Sequence, residues 1–166
     1  MKKSFLSLAI LLFIVITVFS EGMIEKQGDV KFRDFSWGTS IEEFIKIEGQ
    51  PDETISENGN RILTYQNIKI ARYDAVMDVY FGSSGLEMGV YNILFDKKEK
   101  AAICYNDLEE KLSDTYGLTM FSEDDGVVWN FTTGLIVLIF DEKDNSVIVM
   151  YMSPLMKKEF FESAGF

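Results

Sequence analysis

The stretch Phe35–Pro51, FSWGTSIEEFIKIEGQP, holds a tryptophan–glycine pair, two adjacent hydroxyl residues (Thr39 and Ser40), two adjacent glutamates and a closing Gly-x-Pro. Thr39 and Ser40 can both cap a helix, and Thr39-x-x-Glu42 and Ser40-x-x-Glu43 both fit the capping box. Ile41, Phe44 and Ile45 then follow at helical spacing and define one apolar stripe. Gly49 supplies the C-terminal stop and Pro51 prevents continuation. The stretch therefore predicts a short amphipathic helix. Negative charge in a first turn favours the helix dipole, so Glu42 and Glu43 read as architecture before they read as an acid–base pair.

Downstream, residues 52–60 (DETISENGN) are turn-rich, and RILTYQ (61–66) reads as a strand with a short excursion through Ile68 and Ile70. AVMDVYF (75–81) alternates, with Ala75, Met77, Val79 and Phe81 on one side. GSSG (82–85) turns the chain into LEMGVYNILF (86–95). Ala101, Cys104, Tyr105, Leu108, Leu112 and Tyr116 mark a long helix over 97–116, which Gly117 closes. Strands follow at 126–131, 135–140 and 146–152, with DEKDN (141–145) as a turn; Pro154 then opens a C-terminal helix over 154–165.

The two halves repeat. IEEFIKIEG (41–49) matches LEEKLSDTYG (108–117), and each is followed by an aromatic-bearing strand, ILTYQ or VVWNF, and a hairpin. The fold class implied is α+β: a tandem α-β-β-β repeat, about 35–95 and 97–152, forming one antiparallel sheet of about six strands with helices packed on one face. Strands 135–140 and 147–152 are apolar on both faces, unlike a half-wet antiparallel strand. A cover is required there. The local candidate is the C-terminal helix, through Leu155, Phe160 and Phe161; a partner chain or ligand is the alternative.

The first twenty residues carry Lys2 and Lys3 ahead of an apolar run of about fifteen, Phe5 to Phe19, the pattern of a secretory signal peptide. Val18 and Ser20 suit the −3 and −1 subsites, so cleavage is expected after Ser20. An uncleaved membrane anchor is the alternative, although the run is shorter than the roughly twenty residues needed to span hydrocarbon. Residues 21–31 form a polar lead-in, and 32–166 read as a single domain. The net charge of −11 gives phosphates no basic face, which argues against nucleic acid. Cys104 is the sole cysteine, so no internal disulfide forms and packing must hold the fold. At helical spacing among apolar residues, Cys104 reads as a small buried side chain.

WGTSIEEFIKIEGQP, followed by a turn and LTYQ, resembles a signature of small bacterial envelope proteins: the outer-membrane assembly lipoproteins of the SmpA/OmlA type and the related β-lactamase-inhibitor-protein-like modules. The resemblance covers Trp37 to about Tyr65, and LEEKLSDTYG…VVWNF more loosely. It implies an envelope protein of this α+β fold. The chain differs from the lipoproteins in having no cysteine near residue 20 to carry a lipid.

With no histidine in the chain, Ser–His and Cys–His nucleophile pairs and imidazole zinc ligands are excluded. GSSG lacks the Lys-Ser/Thr of a phosphate loop. DEKDNS lacks the glycine and terminal glutamate of an EF-hand. Glu42/Glu43, Glu109/Glu110, Glu123/Asp124/Asp125 and Asp141/Glu142/Asp144 are the remaining acid–base material, all at first-turn, outward or turn positions. No catalytic residue, metal or cofactor is expected. Most aromatics serve a core, but rings on an open sheet face are what a binding surface uses. Trp37, Tyr65, Tyr80 and Tyr91 are the candidates. The expectation is an exported, non-catalytic module that binds an envelope protein or peptide. The alternatives are a carboxylate-based hydrolase of envelope glycans and a carrier of a small apolar ligand. Intact-mass analysis of the exported protein should find a chain beginning at Glu21; a chain retaining Met1 would refute cleavage.

Overall fold

The architecture follows from where each apolar stripe finds cover. A computed structural model describes residues 28–57, 59–117, 120–121 and 126–163; the leader 1–20 and the cluster Glu123/Asp124/Asp125 lie outside the described residues. Helix α1 is Ile41–Glu48. Four strands follow it, β1 (Glu53–Glu57), β2 (Asn60–Ile70), β3 (Tyr73–Gly82) and β4 (Gly85–Leu94). Helix α2 (Lys98–Tyr116) opens the second half, with β5 (Met120–Phe121), β6 (Gly126–Phe131), β7 (Gly134–Asp141), β8 (Ser146–Met152) and the terminal helix α3 (Pro154–Ser163).

All eight strands form one antiparallel sheet in the order β1-β2-β3-β4-β8-β7-β6-β5. The order is palindromic: each half is a four-stranded meander behind its own helix, and the halves meet where β4 pairs with β8, from Met88 opposite Met152 to Leu94 opposite Ser146. The repeat is thus α-β-β-β-β. It exceeds the expected unit by one strand per half, because β1 is exposed at every residue and shows no core-forming run, while β5 has two residues. What reads as a turn at 52–60 contains that edge strand.

The first face carries α1 and α2. Ser40 caps α1, its hydroxyl oxygen accepting from the Glu43 amide at 3.2 Å, whereas the Thr39 hydroxyl donates to the Ser36 carbonyl. Phe44 is fully buried and its ring meets Phe35, Tyr65 and Phe81 at centroid distances of 4.3, 6.1 and 5.4 Å. Ala101, Cys104, Leu108 and Leu112 are the buried stripe of α2. Burial, and secondarily the Asp107 charge, pushes the Cys104 thiol up to about 12, so it stays protonated as a small apolar side chain. The alternation of β3 delivers Ala75, Met77, Val79 and Phe81 to this core. An irregularity between Tyr65 and Ile68 shifts the parity of β2, so that Leu63 and Tyr65, then Ile68 and Ile70, all reach the same side.

The lead-in contributes to the fold as well. Val30 is buried, its amide donates to the Thr133 hydroxyl at 2.8 Å, and that hydroxyl donates to the Gly28 carbonyl at 2.7 Å. The ordered core therefore begins ahead of Phe32.

On the second face, Met88, Val90, Val128, Leu135, Val137, Ile139, Ile148, Met150 and Met152 form a separate apolar cluster, closed by Phe160 of α3 with Met156 and Phe161. Helix α3 packs on β4, β7 and β8, the strands whose double-sided apolarity demands a cover. Local chain supplies it through Phe160, Phe161 and Met156, whereas Leu155, expected to take part, is exposed. Phe160 is 5% exposed, so Phe160→Ala should lower stability by about 3–5 kcal/mol in urea unfolding, and removal of 154–166 by more. Unchanged stability in the truncated chain would mean that α3 covers nothing of consequence.

Candidate functional site

Three of the four candidate aromatics are drawn into the first face. Tyr65 is 4% exposed, and its hydroxyl donates to the Gly49 carbonyl at 3.1 Å, where α1 ends. The second half repeats the contact: the Trp129 indole Nε1 donates to the Gly117 carbonyl, where α2 ends, also at 3.1 Å. Both glycines have positive φ, 95° and 80°, and both donate back into the last helical turn, to Ile45 and Ser113. Aromatics on equivalent strands thus latch equivalent helix ends.

Tyr91 is also buried, and its hydroxyl accepts from Arg33 Nη1 at 3.4 Å while Arg33 Nε pairs with Glu48 at 2.7 Å. The arginine ties the chain entering the fold to the end of α1. Trp37 is half-buried against the first core, and a side chain at Gly134 would approach its Nε1, which is buried with no hydrogen-bond partner among the described residues. Its neighbour Gly38 meets the GSSG turn. The Gly38 amide donates to the Leu86 carbonyl at 3.0 Å and the Leu86 amide to Thr39 at 2.9 Å. A Cβ at Gly85, whose φ is +94°, would collide with the Gly38 and Thr39 carbonyls. Both glycine motifs therefore serve a close approach of two backbones.

Above this junction lies a groove of about 420 Å³ between the start of α1 and the β1–β2 and β3–β4 turns. Ser40, Arg61, Ser83 and Ser84 give it its polar lining, with Ile41 and Phe81 beneath. A guanidinium and hydroxyls can hold acceptor groups. Among the described residues no carboxylate or thiol lines it.

Tyr80 alone of the four candidates stands on the second face, against the cluster under α3. Its phenol is pushed up by burial and then by the Asp78 charge. Asp78 is itself raised, by burial first and by Glu53, against the Thr64 hydroxyl that donates to it at 2.6 Å. The four candidates do not converge on one site.

What the structure adds is a cross-strand row on that face: Ile55, Ile62, Tyr80, Met88, Met152 and Leu135 stand in register across six strands. Along it Leu135, Met152, Met88 and Ile62 are buried, Tyr80 is half-buried, and Ile55 at the end is 39% exposed. The core thus emerges at the β1 edge. Ile55 is flanked on its own strand by Glu53 and Glu57, both exposed. The period-two pattern Glu53-x-Ile55-x-Glu57 was the available signal, masked by its turn-forming neighbours.

The carboxylates are dispersed. Glu42, Glu43, Glu109 and Glu110 lie on helices, and Glu42, Glu43 and Glu110 are exposed. Asp141 accepts from the Lys143 and Asp144 amides and so builds its turn. Among the described residues no group of three or more His, Cys, Asp or Glu side chains could hold a metal ion. Asn130 is buried in β6, so Asn130-Phe131-Thr132 offers no accessible glycosylation acceptor in the folded domain.

No family model matches the chain, and no curated protein matches it. Among solved structures it is similar to an extracellular protein containing an SCP domain from Bacillus anthracis str. Ames, with 14% identity and a TM-score of 0.44. The likeness covers 82% of this chain and 50% of that one, so this chain spans about half the length of that protein.

The latch makes stability depend on alkaline pH. Burial, and then Glu48, raise the Tyr65 phenol from 10.0 to about 12, so above pH 10 the unfolded chain releases a proton that the folded one retains. Stability should therefore fall as pH rises from about 10 to 12, and Tyr65→Phe should flatten part of that fall. At neutral pH Tyr65→Phe should cost about 1 kcal/mol in urea unfolding, as a lost hydrogen bond does. A neutral-pH stability equal to the parent's would show the latch to be incidental.

Proposed function

We propose that the chain is an exported, non-catalytic interaction module of the bacterial envelope that binds a protein or peptide through the β1 side of its second sheet face, beyond the strands that α3 covers. The observation that carries this reading is the apolar row surfacing at Ile55 beside acidic side chains. A monomer's sheet edge is ordinarily blunted, and an apolar residue continuous with the core but left exposed there is what a partner would cover. Export rests on the leader, with its basic start and apolar run. Kinship with the SmpA/OmlA and β-lactamase-inhibitor-protein-like modules rests on the WGTSIEEFIKIEGQP motif and its looser second copy.

Two observations weigh against the hydrolase alternative. Most of the described carboxylates serve helix starts, turns and surface ion pairs, Asp78 is engaged by the Thr64 hydroxyl, and among the described residues no carboxylate lines the groove above α1. Glycoside hydrolysis needs two carboxyl groups facing one bond.

Immobilised chain 21–166 incubated with envelope extract should retain a specific protein or peptide. Tyr80→Ala should weaken that retention roughly fivefold or more, as loss of an interface aromatic does, while Tyr65→Phe should leave it unchanged. Sugar release from envelope glycans, abolished by one carboxylate-to-amide substitution, would replace this reading with the hydrolase.

A further inference from the structure

Strand β1 ends the sheet, and its outer backbone groups have no partner among the described residues. All five of its residues are exposed. On the second face it presents Glu53, Ile55 and Glu57 in turn, with Ile55 paired to Ile62 as the last member of the apolar row. Asp52 fastens the start of the strand to β2. Its amide donates to the Thr64 carbonyl at 2.9 Å and its carboxylate accepts from the Gln66 amide at 2.7 Å. The edge is therefore held ready in extended form.

Charge decides what such an edge admits. If two copies of β1 paired antiparallel about Ile55, each Glu53 would stand opposite a Glu57 with Cβ atoms about 5 Å apart. Parallel pairing in register would set each glutamate against its own copy. Like charges directly opposite destabilise a strand pair. Self-association through this edge is thus disfavoured, and an added strand bearing lysine or arginine is favoured at the same two positions. The net charge of −11 draws the same partner to the surface before it docks.

Building on the interaction-module reading, we infer that β1 accepts an extended basic segment as a ninth strand. Its side chains on the second face read basic, any, apolar, any, basic. The backbone supplies the pairing, an apolar residue beside Ile55 lengthens the row, and two cations meet Glu53 and Glu57.

The test uses the chain with short synthetic peptides centred on Lys-Thr-Val-Thr-Lys or Glu-Thr-Val-Thr-Glu, and a lysine peptide N-methylated along its pairing edge, read by fluorescence anisotropy at low and high salt. The lysine peptide should bind at least about tenfold more tightly than the glutamate peptide and weaken with salt. The N-methylated form should not bind, and Glu53→Lys with Glu57→Lys should reverse the preference between the charged peptides. Absence of lysine-peptide binding, equal binding of the two charged peptides, or undiminished binding of the N-methylated one overturns the edge-pairing inference. If the doubly substituted chain retains the same envelope protein as the parent, the edge is overturned while the interaction-module reading stands. If neither chain retains a protein and the lysine peptide does not bind, both fall.

Discussion

The antiparallel seam between β4 and β8 is the constraint on which the rest of this structure depends. Seven residue pairs join two four-stranded meanders there, and both seam strands carry apolar side chains on both faces. Separated, each half would expose an apolar edge strand, the kind of surface that aggregates. Joined, they set Tyr91, Ile93, Val147 and Val149 under the helices of one face and Met88, Val90, Ile148 and Met150 under α3 on the other. One ladder thereby commits the sheet to two cores. It also explains why α3 is needed: helices from the repeats reach only the first face, and the seam's second face would otherwise be wet.

The pairing has a local two-fold sense, and the two halves share a latch at the end of each helix. A helix ends on a glycine with positive φ, and the carbonyl freed at that turn receives a donor from an aromatic on the second strand that follows. The donor is a phenol in one half and an indole in the other, and the hydrogen bond to the glycine carbonyl is common to both. A carbonyl at a helix end costs about 1–3 kcal/mol if buried unpaired, which makes the donor more constrained than the ring that carries it. Tyr65 and Trp129 therefore fasten helix ends, and only Tyr80 among the four candidates stands on the other face.

Much of this was readable from residue patterns. Ser40, the Ile41/Phe44/Ile45 stripe and Gly49 define α1, and the four-residue steps of Ala101, Cys104, Leu108 and Leu112 define α2, because a helix needs only local signals. The alternation of Ala75 to Phe81 settles the face of β3 for the same reason. Strand β1 was hidden because its five residues bury nothing, so no apolar run marks them, and its pairing partner β2 lies across a turn whose residues dominate the local pattern. The roles of Tyr65 and Tyr91 were hidden for a different reason. Their partners, Gly49 and Arg33, are set by how helix and strand meet, which is tertiary information.

The acidity of the chain takes on a more specific meaning once the edge is located. Diffuse negative charge favours the solubility of a small domain and says little else. At β1 the same charge is placed in period two around Ile55, on the one described edge with a five-residue strand and at the outlet of an apolar row. A charged edge is the usual way to prevent strands from pairing, but a charge repels only its own sign. Glutamates that exclude a second copy of β1 also select for a cationic strand. Protection against self-association and selection of a partner are then one property of the same two carboxylates, and the exposed isoleucine between them is tolerable because the charges on either side admit so few strands to it.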